Sequence, residues 1–333
     1  MKASRLSLVL ENGSLSLPDN GRIAVYGAGA SDDLRALPKD RCEIIQGFKP
    51  DHDALVVQGF DVSVRAGGPY AVALVKLSRS KAHNRMMLAD AVLKTPGGLI
   101  IVDGLKTDGA DSFYKECRKR VSVSDAFSKA HGKIFWFSAE QAFDDWRAAG
   151  PIMLPGGFKT VPGVFSAEKI DRGSLALVSA LPEKLPKRMA DLGAGWGYLS
   201  RHVLKSDKVT ELHLIEADFS ALECARENVT DPRARFHWAD ATRFIPDHPF
   251  DGIITNPPFH TTRKADPDIG RAFISAAAGM LTPSGQMWLV ANRHLPYERT
   301  LAMVFRQVAE IGGDKSYKIL RAARPKRDPR AAR

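Results

Sequence analysis

The segment "FDGIITNPPFH" (residues 250–260) runs an apolar strand into an amide, two prolines and an aromatic ring. Pro257 and Pro258 remove backbone donors and fix φ, so the segment cannot continue a sheet ladder. The strand end then carries two stiffly held acceptors, the Asn256 side-chain carbonyl and the Pro257 backbone carbonyl, beside the Phe259 ring. Such a set can orient a hydrogen-bond donor and stack a flat group. In isolation, the same residues also fit an ordinary proline turn that caps a strand.

Three more features stand upstream at successive strand ends. "DLGAGWGYLSRHVL" has the order strand, glycine turn, helix, and supplies Asp191, Gly193, Ala194, Gly195 and Gly197. A turn of this kind lets a ligand approach the backbone in front of a helix N-terminus. Its spacing departs from the dinucleotide fingerprint, because Tyr198 stands where the last small residue belongs, which disfavours an NAD enzyme. Glu216, closing "LHLIE", can accept from both hydroxyls of a ribose, and Asp240, followed by Ala241 in "WADAT", can reach an adenine amino group. Each feature alone also reads as a tight turn or a capping acid. In this order they read as a nucleoside-cofactor site.

Positioning them requires alternating strands and helices, the pattern of a doubly wound, mostly parallel α/β sheet. In the second half the apolar runs predict strands at 189–192, 211–216, 235–238, 252–255 and 286–291. Helices are predicted at 197–205, 219–228 and 269–281. The first half echoes the second three times in the same order. "RIAVYGAG" answers "RMADLGAG", "PYAVALVK" answers "PFDGIITN", and "TPGGLIIVDG" answers "TPSGQMWLVAN". The chain is therefore expected to hold two tandem Rossmann-like domains, residues 1–150 and 151–333, joined by a Gly- and Pro-rich linker at 148–161.

The 333 residues allow two such domains. A formal net charge of +10 favours a polyanionic partner, with Lys and Arg concentrated after position 314 in a tail that is either solvated or in contact with nucleic acid. Cys42, Cys117 and Cys224 lack metal-ligand spacing and suit a reducing, cytoplasmic setting. Neither a signal peptide nor a membrane-spanning run is legible.

The second half resembles the class I S-adenosylmethionine-dependent methyltransferases. Residues 191–197 resemble the family's cofactor loop, Glu216 its ribose carboxylate and Asp240–Ala241 its adenine contact. The resemblance implies S-adenosyl-L-methionine as cofactor, S-adenosyl-L-homocysteine as product and no metal. It also gives Asn256-Pro257-Pro258-Phe259 a catalytic task. A conjugated amine is a weak nucleophile, and accepting from both its hydrogens aims its lone pair at the sulfonium methyl, while Phe259 offers a face for a flipped base. No dedicated general base is needed. "NPPFH", "VANRHLPY" and "PGVFSAEKIDRGSLAL" together resemble the ribosomal RNA guanine-N2 methyltransferases, the small-subunit (16S) type most closely.

That likeness implies the 30S subunit or its RNA as partner, and a monomer in which duplication replaces a dimer. The alternatives are the same chemistry on 23S RNA, a glutamine amide as acceptor, or a non-catalytic RNA-binding assembly factor. Phe165, His260, Asn292 and Arg293 are candidate RNA contacts, against bland readings as a core aromatic, a solvated imidazole and a plain turn. In the first half, Gln46 stands in place of Glu216 and "KLSR" in place of "NPPF". That domain is expected to be a degenerate methyltransferase, with Lys76 and Arg79 either meeting phosphate or lying on a solvated helix start.

Overall fold

The computed structural model describes residues 4–147, 150–258 and 267–326. The chain forms two compact units, Met1–Pro151 and Ile152–Arg333. The first contains β1 (Ile23–Tyr26), β2 (Cys42–Ile45), β3 (Asp61–Ser63), β4 (Val72–Lys76), β5 (Leu99–Leu105), β6 (Phe127–Lys129) and β7 (Gly132–Ser138). They lie in the order β3-β2-β1-β4-β5-β7-β6. A hairpin of β8 (Ile152–Leu154) and β9 (Phe158–Thr160) opens the second unit.

The second sheet contains β10 (Arg188–Leu192), β11 (Glu211–Glu216), β12 (Ala234–Trp238), β13 (Phe250–Thr255), β14 (Leu281–Asn292), β15 (Phe305–Gly313) and β16 (Tyr317–Pro325). Their order is β12-β11-β10-β13-β14-β16-β15, the arrangement of the first sheet strand for strand. In each, five strands are parallel, and the sixth in the row, β7 or β16, runs antiparallel to its neighbours. The expected α/β class with two doubly wound, mostly parallel sheets is the observed one.

The central strands are near-continuous apolar runs because both their faces are covered. In the second sheet, Met189, Leu212, Leu214, Ile254 and Trp288 join one core layer. Their strand neighbours Ala190, Leu192, Ile215, Ile253 and Met287 join the other. Helices Phe219–Asn228 and Pro267–Met280 supply the cover on opposite faces. The first of them starts where Asp218 accepts from the N–H groups of Ser220 and Ala221, a side-chain N-cap. Strand register also fixes the internal correspondence. Tyr26 pairs Ile45 and Val75, as Leu192 pairs Ile215 and Thr255. One residue further on, Gln46 therefore matches Glu216, and Lys76 matches Asn256.

Two sequence expectations need correction. The stretch read as linker is folded from residue 152 onward, because Leu154 and Phe158 are buried in the second unit's core. The stretch read as a basic tail is in large part β16, inserted between β14 and β15. There Lys318 is buried with its ammonium 2.6 Å from Glu298, and Arg321 donates to Gln286 Oε1 at 2.7 and 3.0 Å. Residues 327–333 of that tail lie outside the described residues. Among the described residues, no helix is long and apolar enough to cross a membrane.

Candidate active site

The glycine turn sits at the C-terminal end of β10, held by Gly193 and Ala194 N–H groups that donate to Ile215 O at 2.9 and 3.2 Å. Gly197 caps the helix Tyr198–Val203 at φ +89°, a left-handed conformation closed to most side chains. A Cβ there would also lie 2.8 Å from Val229 Cγ2. Glu216, at the end of the neighbouring strand, accepts from Gly195 N–H at 2.7 Å through Oε2 and from Asp218 N–H at 2.8 Å through Oε1. Burial pushes its carboxyl up to about 7, against the pull of those two donors. Asp191 is fully buried under the turn, where Ser200 Oγ donates to it at 2.7 Å. Burial holds it at about 7 as well.

The turn opens on a cavity lined by Phe165, Gly193, Ala194, Gly195 and Asn256, together with Trp196 and the first turn of the following helix. Five predicted site residues thus meet in one place. Asn256 lies one residue beyond β13. Its Nδ2 donates to Asp171 Oδ2 at 2.8 Å and to Ser174 Oγ at 2.9 Å. Pro257 is buried and Pro258 exposed. Phe259 and His260 lie outside the described residues.

Of the two readings of Phe165, the core aromatic is excluded: the residue is 55 % exposed at the cavity. Its backbone carbonyl accepts from Trp196 Nε1 at 2.9 Å, and the next residue, Ser166, adopts φ +52°. Asp171, Ser174 and this tryptophan contact escaped the sequence reading. The available signal was the Asp-x-x-Ser pattern that opens the helix Arg172–Ala180, where Asp171 accepts from Ser174 N–H at 2.8 Å.

Other candidates fall further out. Asp240 Oδ1 accepts from Thr242 N–H and Oγ at 2.8 and 2.7 Å, which fixes the loop after β12. Ala241 is buried in the core. Asn292 ends β14, paired with Tyr317. Arg293, expected to face RNA, instead donates to Asp314 O at 2.7 Å, Tyr317 O at 3.1 Å and Glu310 at 3.0 Å, clamping the β15–β16 turn.

In the first unit, Lys76 spends its charge inside the fold. Its ammonium lies 2.6 Å from Asp103 and 3.1 Å from Asp32. Lys81 and Arg85 both pair with Glu116, while Arg79 is exposed. Gln46 donates to Ala28 O at 2.7 Å and accepts from Phe48 N–H at 2.8 Å. The glycine-turn amides Gly29 N and Ala30 N donate to Asp32 and Asp51 at 2.8 and 2.9 Å. The turn's donors are thus taken by a loop aspartate and a helix aspartate, and the strand-end Gln46 is held by its own neighbours.

Residues 156–321 match the model of the methyltransferase small domain family. A ribosomal RNA large subunit methyltransferase G of Alcanivorax borkumensis is 32% identical over 169 residues, 49% of this chain and 43% of that protein. A ribosomal RNA small subunit methyltransferase C of Shewanella oneidensis is 29% identical over 67% of this chain and 68% of its own length. Its counterpart in Shewanella amazonensis is 26% identical over 84% and 80%. The chain thus spans less than half of the first relative and more than two thirds of the other two. Among solved structures, the T. thermophilus 16S rRNA N2 G1207 methyltransferase in complex with AdoMet and guanosine superposes with a TM-score of 0.78, covering 93% of this chain and 90% of that one at 24% identity. That likeness extends the fold assignment over both units. Over residues 156–321, this chain belongs to the methyltransferase small domain family.

Proposed function

We propose that the protein transfers a methyl group from S-adenosylmethionine to the exocyclic N2 amine of a guanosine in 16S ribosomal RNA, presented by the 30S subunit in the cytoplasm. The observation that carries this reading is Asn256, at the end of β13, sharing one cavity with the glycine turn. The residues present fit the cofactor. Gly195 leaves open space beside the turn, since a Cβ there would meet nothing within 4 Å. Glu216 stands beside it with a carboxylate able to take paired hydroxyls. When bound, S-adenosylmethionine supplies an electrophilic methyl on a sulfonium.

The chain's own residues do the positioning. The amide oxygen of Asn256 and the carbonyl of Pro257 accept from the two amine hydrogens, which aims the nitrogen lone pair and raises its electron density. The nitrogen gains the methyl carbon as the carbon–sulfur bond breaks, and the proton it sheds passes to solvent water. Asp191 holds the turn to its helix through Ser200, and Asp240 and Ala241 border the adenine end. Phe165, with Phe259, offers ring surface to the base. The first unit is assigned a non-catalytic role in holding RNA, because its cofactor and amine-binding positions are occupied by its own side chains. The net charge of +10 and the two small-subunit relatives support RNA over a protein acceptor.

The test is transfer of labelled methyl to unmodified 30S subunits, 50S subunits and naked ribosomal RNAs, followed by nucleoside analysis. N2-methylguanosine in 16S RNA is expected. Label confined to 23S RNA moves the substrate to the other subunit, and no label in any RNA sinks the reading.

A further inference from the structure

An asparagine that serves as an acceptor has an orientation problem. Its two ends are nearly equal in shape, and a half-turn of the amide presents N–H₂ instead of C=O. Toward a substrate amine, the wrong end sets donor against donor and cancels the recognition. Something must hold the amide one way round. Here both hydrogen bonds of Nδ2 run to residues of one short segment 82 to 85 positions earlier: Asp171 Oδ2 at 2.8 Å and Ser174 Oγ at 2.9 Å.

An ionised carboxylate can only accept, so Asp171 admits the nitrogen end and rejects the oxygen end. The acceptor is itself immobilised. The same Oδ2 takes Ser174 N–H at 2.8 Å as the N-cap of the helix Arg172–Ala180, and Ser174 is buried. Between them, Gly173 keeps the space clear, since a Cβ there would press to 3.0 Å on that oxygen and 3.2 Å on the Tyr317 ring.

We infer that Asp171 and Ser174 are positioning residues that lock the Asn256 amide with its carbonyl toward the substrate amine. The inference rests on the proposed amine methylation and names the device that makes Asn256 competent for it.

A charge-swap cycle tests it. Asp171→Asn keeps the helix cap, because Asn caps as well as Asp. It leaves the Asn256 amide free to turn. Asn256→Asp sets two carboxylates against each other. In the double variant the amide introduced at position 171 donates to the carboxylate introduced at position 256, restoring one acceptor oxygen toward the substrate. Single-turnover and steady-state methylation of 30S subunits, calorimetric cofactor affinity and thermal midpoint are measured for each.

The double variant is expected to transfer methyl about 10-fold faster than the product of the two single effects, a coupling within the range found between contacting residues. Ser174→Ala is expected to lower kcat several-fold with KM and cofactor affinity unchanged. Multiplicative single effects, or losses that track cofactor affinity or thermal midpoint, overturn the positioning role while leaving the proposed reaction intact. Wild-type protein that labels no RNA overturns both.

Discussion

Glu216 Oε2 accepts the Gly195 N–H at 2.7 Å, so the ribose-side carboxylate and the cofactor turn are joined before any ligand arrives. The second oxygen accepts from Asp218 N–H, and a glutamine can supply only one of the two acceptors. Glu216→Gln is therefore expected to weaken S-adenosylmethionine binding ~10-fold or more, the scale of a hydrogen bond to a charged group. Calorimetry on the folded variant checks it, and unchanged affinity refutes the assignment of Glu216.

The same carboxyl makes binding depend on pH. Burial raises both Glu216 and Asp191 to about 7. A raised acid stabilises the fold below its unfolded value, and that stability is lost as pH rises through about 7. The ligand-free protein is expected to melt at lower temperature at pH 8 than at pH 6.5. Ribose hydroxyls favour the ionised form of Glu216, so cofactor affinity should rise over the same interval, with proton release. Half-buried His202 and His237 and buried His213 are lowered by desolvation and act in the opposite sense, an effect that fades above their ordinary value of 6.5. Scanning Glu216→Gln beside the wild type from pH 6.5 to 8 isolates that carboxyl from the histidines. A flat affinity profile there contradicts the link to Glu216.

Trp196 ties the loop that presents Phe165. Its ring packs on Phe158 and Tyr198 with centroids 5.2 and 5.7 Å away, while Nε1 holds the Phe165 carbonyl. Trp196→Phe keeps much of the packing and loses the donor. With a net hydrogen bond near ~1 kcal/mol, KM for the RNA substrate is expected to rise ~5-fold, with cofactor affinity within about twofold. Steady-state kinetics on 30S subunits decide it.

Gly197→Ala meets two obstacles, φ +89° and a Cβ 2.8 Å from Val229 Cγ2. Gly195→Ala meets only φ +55°. Strain of ~1–2 kcal/mol applies to both, and the clash adds to it only at 197. The thermal midpoint of Gly197→Ala should fall further than that of Gly195→Ala, by several degrees. Equal midpoints would remove the close-approach explanation for Gly197.

In the first unit, Lys76→Ala takes one of two cations from Asp103, whose side chain is 5 % exposed, and leaves it paired with Arg5. The loss is expected in that unit's stability. Arg79→Ala, at an exposed position, is expected to weaken RNA binding and flatten its salt slope by ~1, the mark of one lost phosphate contact. Filter binding over a salt series distinguishes the two.

The elements with strong periodicity were legible in the residues alone. Strand Glu211–Glu216 and helix Phe219–Asn228 coincide with their predicted spans, because a buried run of branched residues and an Asp218 cap are local signals. The duplication was legible too, since repeated turn chemistry survives where side chains diverge. Strand β16 was not, because Lys318 and Arg321 make it look solvated, and only the pairing with β14 and β15 shows their charges spent on Glu298 and on Gln286. The partners of Lys76 and Arg293 were hidden for the same reason. A cation's sequence neighbours do not reveal which carboxylate or carbonyl will face it.

The sequence by itself determined the fold class, the glycine turn, Glu216 and the Asn-Pro-Pro-Phe stretch, each carried by adjacent residues. The tertiary structure decided which way the Asn256 amide faces. That choice depends on Asp171 and Ser174, more than eighty positions away, which reach Asn256 only once helix and sheet have packed together.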